Sequence, residues 1–179
     1  GILSDPSGRS FEYDSVIELI KKFQKEDWAV ILMSEIGIDT AKAGIKENIA
    51  HPEGANLRVW AAVIKHADLF VGCDSVGQHL SYSTNTPTVS VIGSTYPVNV
   101  SYPETDKFKV MDLGEGTRQY SPIRIVQDEL VDRSNERLMI MTKEIEEYLL
   151  DLAKSLIAIK KESISKEKAK SKNLLLTTK

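Results

Sequence analysis

The segment spanning residues 67–80 constrains the fold of this chain most strongly. A short apolar run at residues 69–71 predicts a buried strand that ends at Gly72. An acid, a hydroxyl, a glycine and an imidazole then follow within six residues, at Asp74, Ser75, Gly77 and His79. In open parallel sheets, ligands bind where the carboxyl end of a strand meets the beginning of a helix. The backbone N–H groups and helix dipole at such a turn favour an anion, typically a phosphate.

The rest of the chain alternates between apolar runs and amphipathic segments. Short apolar runs predict strands at residues 2–3, 29–33, 88–92 and 107–111. Helical spacing is visible after Ser15, which fits a capping box, and at residues 40–48, 57–64 and 77–84. Strands that alternate with helices predict βαβ units and a parallel sheet covered on both faces. The fold class is therefore α/β, a Rossmann-like parallel sheet in which the strands at 69–71 and 88–92 are adjacent and central.

A long C-terminal helix is expected after this α/β domain. It begins near Ser134, and its apolar stripe consists of Leu138, Met141, Ile145, Tyr148, Leu149, Leu152 and Leu156. We divide the chain into a Rossmann-like domain at 1–133, a C-terminal helix at 134–160 and a basic, flexible tail at 161–179.

Composition excludes several functional classes. Apolar stretches are shorter than ten residues and the start has no basic region, so we expect neither a transmembrane helix nor a signal peptide. The single cysteine, Cys73, suits a cytoplasmic location, and with no Cys/His cluster we expect no metal site. Eight lysines and two glutamates from Lys154 onward leave about −9 on the rest of the chain. An acidic body argues against nucleic-acid binding, and the basic tail allows at most peripheral membrane contact.

Two motifs in the right order carry a family resemblance. Residues 56–64 lead into Ala67-Asp68-Leu69-Phe70-Val71-Gly72 and Asp74-Ser75-Val76-Gly77-Gln78-His79, and residues 86–97 follow with Pro87-Thr88-Val89 and Gly93-Ser94-Thr95-Tyr96-Pro97. This order resembles the C-terminal, donor-binding domain of glycosyltransferase family 9, the lipopolysaccharide heptosyltransferases, over residues 2–103. The chain departs from the family pattern where Val76 replaces a glycine and where Ile92 replaces an aromatic residue.

The resemblance implies a site for a nucleotide-diphosphate sugar, with ADP as the candidate nucleotide. It implies that Asp74 accepts hydrogen bonds from sugar hydroxyls and that His79 contacts ribose or phosphate. The other residues that it assigns to the donor are Ser75, Val76 and Gly77 around the pyrophosphate, Gly93, Ser94 and Thr95 on a second wall, Arg9 and Ser10 near the diphosphate, and Glu35 near the nucleoside. The residues alone also allow plainer roles, namely a helix cap for Asp74 or Ser75, a structural His79 and a solvated Arg9.

The mechanism stays incomplete in the sequence. No catalytic residue is named, because no nucleophile and base can be paired. The resemblance implies no cofactor, and it places the base and the acceptor site in an N-terminal domain or partner chain of a GT-B glycosyltransferase. The isolated chain is therefore expected to bind donor without turnover. One alternative is a non-catalytic nucleotide-sugar-binding or interaction module on the same fold. Another is an epimerase or phosphatase-like enzyme. A dinucleotide-dependent oxidoreductase is disfavoured, because this chain has no G-x-G-x-x-G after its first strand.

Overall fold

The computed structural model describes residues 9–34, 38–45, 49–50, 54–118 and 138–177. Its helices are α1 (Tyr13–Lys25), α2 (Thr40–Ala43), α3 (Leu57–His66), α4 (Val76–Ser83), α5 (Pro97–Val100) and α6 (Lys143–Thr177). Its strands are β1 (Val30–Ile31), β2 (Ile49–Ala50), β3 (Phe70–Cys73), β4 (Thr88–Ile92) and β5 (Phe108–Asp112). The predicted α/β class is confirmed. The strand predicted at residues 2–3 lies outside the described residues.

The strands form two parallel sheets, one with the order β3-β4-β5 and one that pairs β1 with β2. The predicted adjacency of β3 and β4 is confirmed, and Phe70 lies opposite Thr88. The prediction that both strands are central is correct only for β4. Among the described strands, β3 is hydrogen-bonded on one side only.

The two faces of the three-stranded sheet differ in chemistry. Val89 and Val91 of β4 belong to the main apolar core, together with Leu149 and Leu156 of α6. Between them, Ser90 points to the other face and hydrogen-bonds Gln78 of α4. Side chains alternate along a strand, so α6 covers an apolar face and α4 a polar one. Helices therefore cover both faces of the sheet, as the sequence predicts.

Two predicted helix boundaries near the N-terminal end are wrong. Helix α1 begins at Tyr13 rather than after Ser15, with Glu12 at the N-cap position. Ser15 is buried inside the helix, where its hydroxyl oxygen accepts a hydrogen bond from the backbone N of Met141 at 3.4 Å. Helix α2 ends at Ala43 instead of continuing to residue 48, because Gly44 adopts a left-handed conformation (φ 65°) that ends the helix.

The C-terminal helix also differs from its predicted bounds. It begins at Lys143, not near Ser134, and continues past residue 160 to Thr177. Leu138 and Met141 thus precede the helix, and Tyr148 is 57% exposed instead of lying in the stripe. The flexibility of residues 161–179 stays a prediction. In the part of the chain that the structure describes, no helix is long and apolar enough to cross a membrane.

Candidate functional site

The predicted site residues lie mainly at one edge of the parallel sheet. Asp74 directly follows β3, and Gly93, Ser94 and Thr95 follow β4. Because β3 and β4 are parallel and in register, with Cys73 opposite Val91, both segments emerge at the carboxyl edge. The structure therefore brings the two motifs to one rim, where open α/β sheets bind their ligands.

The N-terminus of α4 opens at this rim without a side-chain cap. Ser75 occupies the N-cap position with extended backbone angles (φ −157°, ψ 171°), yet its own side chain makes no capping hydrogen bond. The capping role that Asp74 and Ser75 allowed in the sequence is therefore not what the structure shows. Val76 is 41% exposed at the start of the helix. The first turn keeps the positive dipole end that favours an anion.

Gly77 is required by packing against the sheet. A Cβ atom built on Gly77 would stand 2.5 Å from Cζ of Phe70, and one built on Gly72 would meet the same ring atom at 2.5 Å. The ring of Phe70 therefore fills the space where both side chains would be. The close approach of a phosphate to Gly77, which the sequence suggested, stays a prediction.

Asp74 and Arg9 come together at the rim. Nη1 of Arg9 lies 3.8 Å from Oδ2 of Asp74, and the aspartate side chain is only 9% exposed while that of the arginine is 43% exposed. Oδ1 of Asp74 lies 3.5 Å from Nε2 of Gln78. Oδ2 is buried and has no hydrogen-bond partner among the described residues. A buried carboxylate oxygen without a hydrogen bond carries a desolvation cost that a ligand donor removes.

Gln78 is the buried polar centre of the site, and sequence reasoning missed it. Its side chain is completely buried and donates a hydrogen bond from Nε2 to the backbone O of Val100 at 2.7 Å. Its Oε1 accepts a hydrogen bond from Oγ of Ser90. Gln78 stands in the motif between Gly77 and His79, and the only sequence signal was a long amide on the inward face of a short helix.

His79 is engaged away from Asp74. Its Nδ1 lies 2.9 Å from the hydroxyl oxygen of Tyr102, and the two rings meet edge to face. Tyr102 in turn stacks on Tyr82, with ring centroids 3.7 Å apart, and both contact Phe108. The contact that the structure gives His79 is thus with an aromatic cluster over α4. Its predicted contact with the donor stays a prediction.

The wall after β4 is held by an arginine that the sequence did not single out. Nε of Arg118 donates to the backbone O of Gly93 at 2.7 Å, and the guanidinium pairs with the carboxylate of Asp112 at the end of β5. The guanidinium also lies over the ring of Tyr96, 4.8 Å from its centroid. Ser94 is buried, and Oγ1 of Thr95 is buried without a hydrogen-bond partner among the described residues. Arg118 thus fixes the loop that presents Thr95.

The two remaining predicted site residues are Ser10 and Glu35. Ser10 is half-buried between Arg9 and the buried Phe11, and Glu35 lies outside the described residues. Over the described ranges, no three His, Cys, Asp or Glu side chains are grouped so that they could hold a metal ion.

Apart from the rim, the described residues line a cavity that is mainly apolar. It measures about 530 Å³ and is lined mainly by apolar residues of α1, β1, α3 and β3, among them Leu19, Val30 and Val71. Asp74, Gln78 and Thr95 do not line it. We locate the candidate ligand site at the rim instead, because the buried polar atoms without partners are there.

The comparisons with known proteins agree with this fold. Residues 11–121, more than half of the chain, match the family model of glycosyltransferase family 9 (heptosyltransferase). The chain belongs to glycosyltransferase family 9. The resemblance that the two motifs carry is thereby confirmed.

Two solved structures share the fold of this family 9 chain. The ADP-heptose LPS heptosyltransferase II of E. coli is 18% identical with a TM-score of 0.59, over 90% of this chain and 45% of that one. The E. coli heptosyltransferase WaaC with ADP is 15% identical with a TM-score of 0.59, over 86% of this chain and 42% of that one. The chain thus spans less than half the length of either structure. No curated protein matches this sequence.

Proposed function

We propose that this chain is the donor-binding part of a family 9 glycosyltransferase and binds a nucleotide-diphosphate sugar. The observation that supports the proposal best is the buried Oδ2 of Asp74, which lies beside Arg9 at the rim and has no hydrogen-bond partner among the described residues. It stands next to the uncapped N-terminus of α4. This combination suits a ligand that carries both hydroxyl donors and negative charge.

Different residues of the rim contact the two parts of the donor, its diphosphate and its sugar. The first turn of α4 and the guanidinium of Arg9 bind the diphosphate and stabilise the charge that develops on it as the sugar leaves. Asp74 accepts hydrogen bonds from the sugar hydroxyls, and Thr95 contributes a second hydroxyl contact, so the anomeric carbon is held in place. The base that deprotonates the acceptor belongs to the acceptor-binding half, which we assign to another domain or chain.

ADP is our candidate nucleotide, and lipopolysaccharide biosynthesis is our candidate pathway. The support is that the similar E. coli structures are an ADP-heptose LPS heptosyltransferase and the heptosyltransferase WaaC with ADP. We propose a cytoplasmic location on the single cysteine of the chain. We propose no resident cofactor, no nucleic-acid partner and at most peripheral membrane contact through the basic end of α6.

A second candidate is a non-catalytic module on the same fold. Val76 occupies the position where the resemblance expects a glycine, and it is 41% exposed at the helix N-terminus. His79 is engaged by Tyr102. Both features favour a chain that keeps the family fold with a weakened donor site.

Calorimetric titration with ADP, ADP-heptose and, as a control nucleotide, UDP-glucose distinguishes the two. A donor-binding part gives heat with ADP and ADP-heptose at ligand concentrations up to about 1 mM. A dissociation constant of about 1 mM corresponds to a binding free energy of about −4 kcal/mol. Arg9→Gln weakens both ADP ligands, since both carry the diphosphate. Absence of heat with every ligand contradicts the donor-binding proposal and supports the non-catalytic module. Sugar transfer by the isolated chain is not expected in either case.

A further inference from the structure

We propose that Gln78 is a positioning residue, which holds Asp74 so that one carboxylate oxygen is offered to the sugar of the donor. The inference rests on the proposed donor binding and adds a residue that the family resemblance did not assign. Gln78 is fully buried, and its amide joins three elements at the rim: α4, β4 and the end of α5.

The partners of Gln78 fix the orientation of its amide. The backbone O of Val100 can only accept, so the group 2.7 Å away must be the NH₂ of the amide. Oε1 therefore faces Ser90, whose hydroxyl donates to it. The NH₂ has a second hydrogen, and Oδ1 of Asp74 lies 3.5 Å from Nε2. The backbone O of Val100 thus prevents the amide from turning over.

This orientation leaves Asp74 with two unequal oxygens. Oδ1 faces the amide NH₂, whereas Oδ2 is buried with no hydrogen-bond partner among the described residues and lies 3.8 Å from Nη1 of Arg9. An amide in the opposite orientation would present its carbonyl oxygen to the carboxylate, and the two acceptors would repel each other. Gln78 therefore determines which oxygen of Asp74 is available to a ligand.

Two more oxygens at this rim have the same status. Oγ of Ser101, next to Val100, and Oγ1 of Thr95 are buried and have no hydrogen-bond partner in the part of the chain that the structure describes. Like Oδ2 of Asp74, each of them lacks a hydrogen-bond partner of the kind that a sugar hydroxyl supplies. The diphosphate offers no hydrogen-bond donor to Asp74, so Gln78 should affect binding of the sugar and not of the bare nucleoside diphosphate.

A double-mutant cycle tests this role, because coupling between two sites is measured directly. The variants are Gln78→Met, Asp74→Ala and the double variant, each titrated with ADP-heptose and with ADP. We expect Gln78→Met to lower the affinity for ADP-heptose about tenfold in the otherwise wild-type chain. A loss of this size corresponds to about one hydrogen bond to a charged group. In the Asp74→Ala background the same change should have less than about a twofold effect. ADP affinity should be unchanged by Gln78→Met.

Ser81→Ala is the matched control, because Ser81 lies on α4, is also fully buried and donates to the backbone O of Gln78. It should lower stability without changing either affinity. Equal losses from Gln78→Met in both backgrounds, or equal losses for ADP and ADP-heptose, overturn the positioning role. A wild-type chain that binds neither ligand instead contradicts the proposed function and removes the basis of this inference.

Two further measurements apply if Gln78→Met does not fold. Ser90→Ala removes the hydroxyl that holds Oε1 in place while leaving the amide itself, and it should weaken ADP-heptose selectively. The side-chain NH₂ resonances of Gln78 in a ¹⁵N-labelled chain should shift in both Asp74→Ala and Ser90→Ala, with no ligand present. Resonances that stay in place in both variants show that the contacts are absent in solution and overturn the proposal.

Discussion

At the scale of single residues, the site depends on the pairing of Asp74 with Arg9. The carboxylate is nine-tenths buried while the guanidinium is 43% exposed. On the proposed function, a diphosphate at the α4 N-terminus would compete with Asp74 for Arg9, and different side chains would contact the diphosphate and the sugar of the donor.

Asp74→Ala should consequently discriminate between two ligands. ADP-heptose offers hydroxyl donors to the carboxylate and ADP alone offers none beyond its ribose, so the variant should lose roughly 1–3 kcal/mol with the first and less with the second. Calorimetric titration of both ligands measures the difference. Wild-type affinity for both ligands together with lower thermal stability would mean that Asp74 has a structural role only.

His79→Ala should act mainly on stability, because the imidazole is engaged by Tyr102. We expect a loss of about 0.5–1.5 kcal/mol in the free energy of unfolding, the usual net contribution of one hydrogen bond. Tyr102→Phe removes the same bond and should cost a similar amount, with no added loss in the double variant. Urea denaturation measures all three. A large loss of ADP affinity in His79→Ala, without one in Tyr102→Phe, would instead show that His79 contacts the nucleotide.

At the scale of secondary-structure elements, the close approach of α4 to β3 depends on two glycines. Gly72 on the strand and Gly77 on the helix leave the space that the ring of Phe70 fills. The N-terminus of α4 therefore sits directly against the end of β3. This contact positions the first turn of α4 relative to Asp74.

Gly77→Ala should destabilise the chain although alanine favours helices. The new methyl group would lie 2.5 Å from Phe70 Cζ, and overpacking of this kind costs about 1–3 kcal/mol. Val76→Ala, at the exposed neighbouring position, is the control and should stay within about 0.5 kcal/mol. Urea unfolding compares them. If Phe70→Leu restores the stability of Gly77→Ala, the clash with the ring is the cause, whereas no loss in Gly77→Ala would show that the ring moves without cost.

At the scale of the whole molecule, α6 joins parts of the fold that are distant in sequence. Its buried face packs on β4 and α1, and Lys154 pairs with Glu26 at 2.7 Å. Six residues further on, Nζ of Lys160 donates to the backbone O of Ala67 at 2.7 Å and lies 3.2 Å from Asp68. The helix thus holds the turn that leads into β3.

Two adjacent residues of α6 test this packing. Leu149 is fully buried and Tyr148 is 57% exposed. Leu149→Ala should lower the free energy of unfolding by about 2–5 kcal/mol through lost burial and a residual cavity, and Tyr148→Ala should change it by less than about 1 kcal/mol. Denaturant unfolding followed by circular dichroism gives both values. Equal effects of the two substitutions would contradict the observed orientation of the helix, which buries Leu149 and exposes Tyr148.

The sequence by itself determined the fold class, the bounds of β4 and the segments that meet at the rim. It did so because strands and helices leave different apolar periods, and because parallel strands must bring their carboxyl ends to one edge. The motifs at residues 67–80 and 86–97 also determined the family. These features are local, or follow from the order of local elements.

Only the tertiary structure decided which side chains act together. The sequence did not indicate the partners of Gln78 and Arg118. Ser90 and Val100 bond to Gln78, and Gly93 bonds to Arg118, from 12 to 25 residues away, so these contacts exist only in the folded chain. The same applies to His79 with Tyr102 and to Gly77 with Phe70. The predicted start of α6 and the predicted place of Tyr148 in the buried stripe were wrong, because a long apolar stripe does not show at which residue the helix begins to pack on the core. Hydrogen-bond partners and burial are properties of packing, and packing joins residues that a periodic pattern cannot relate.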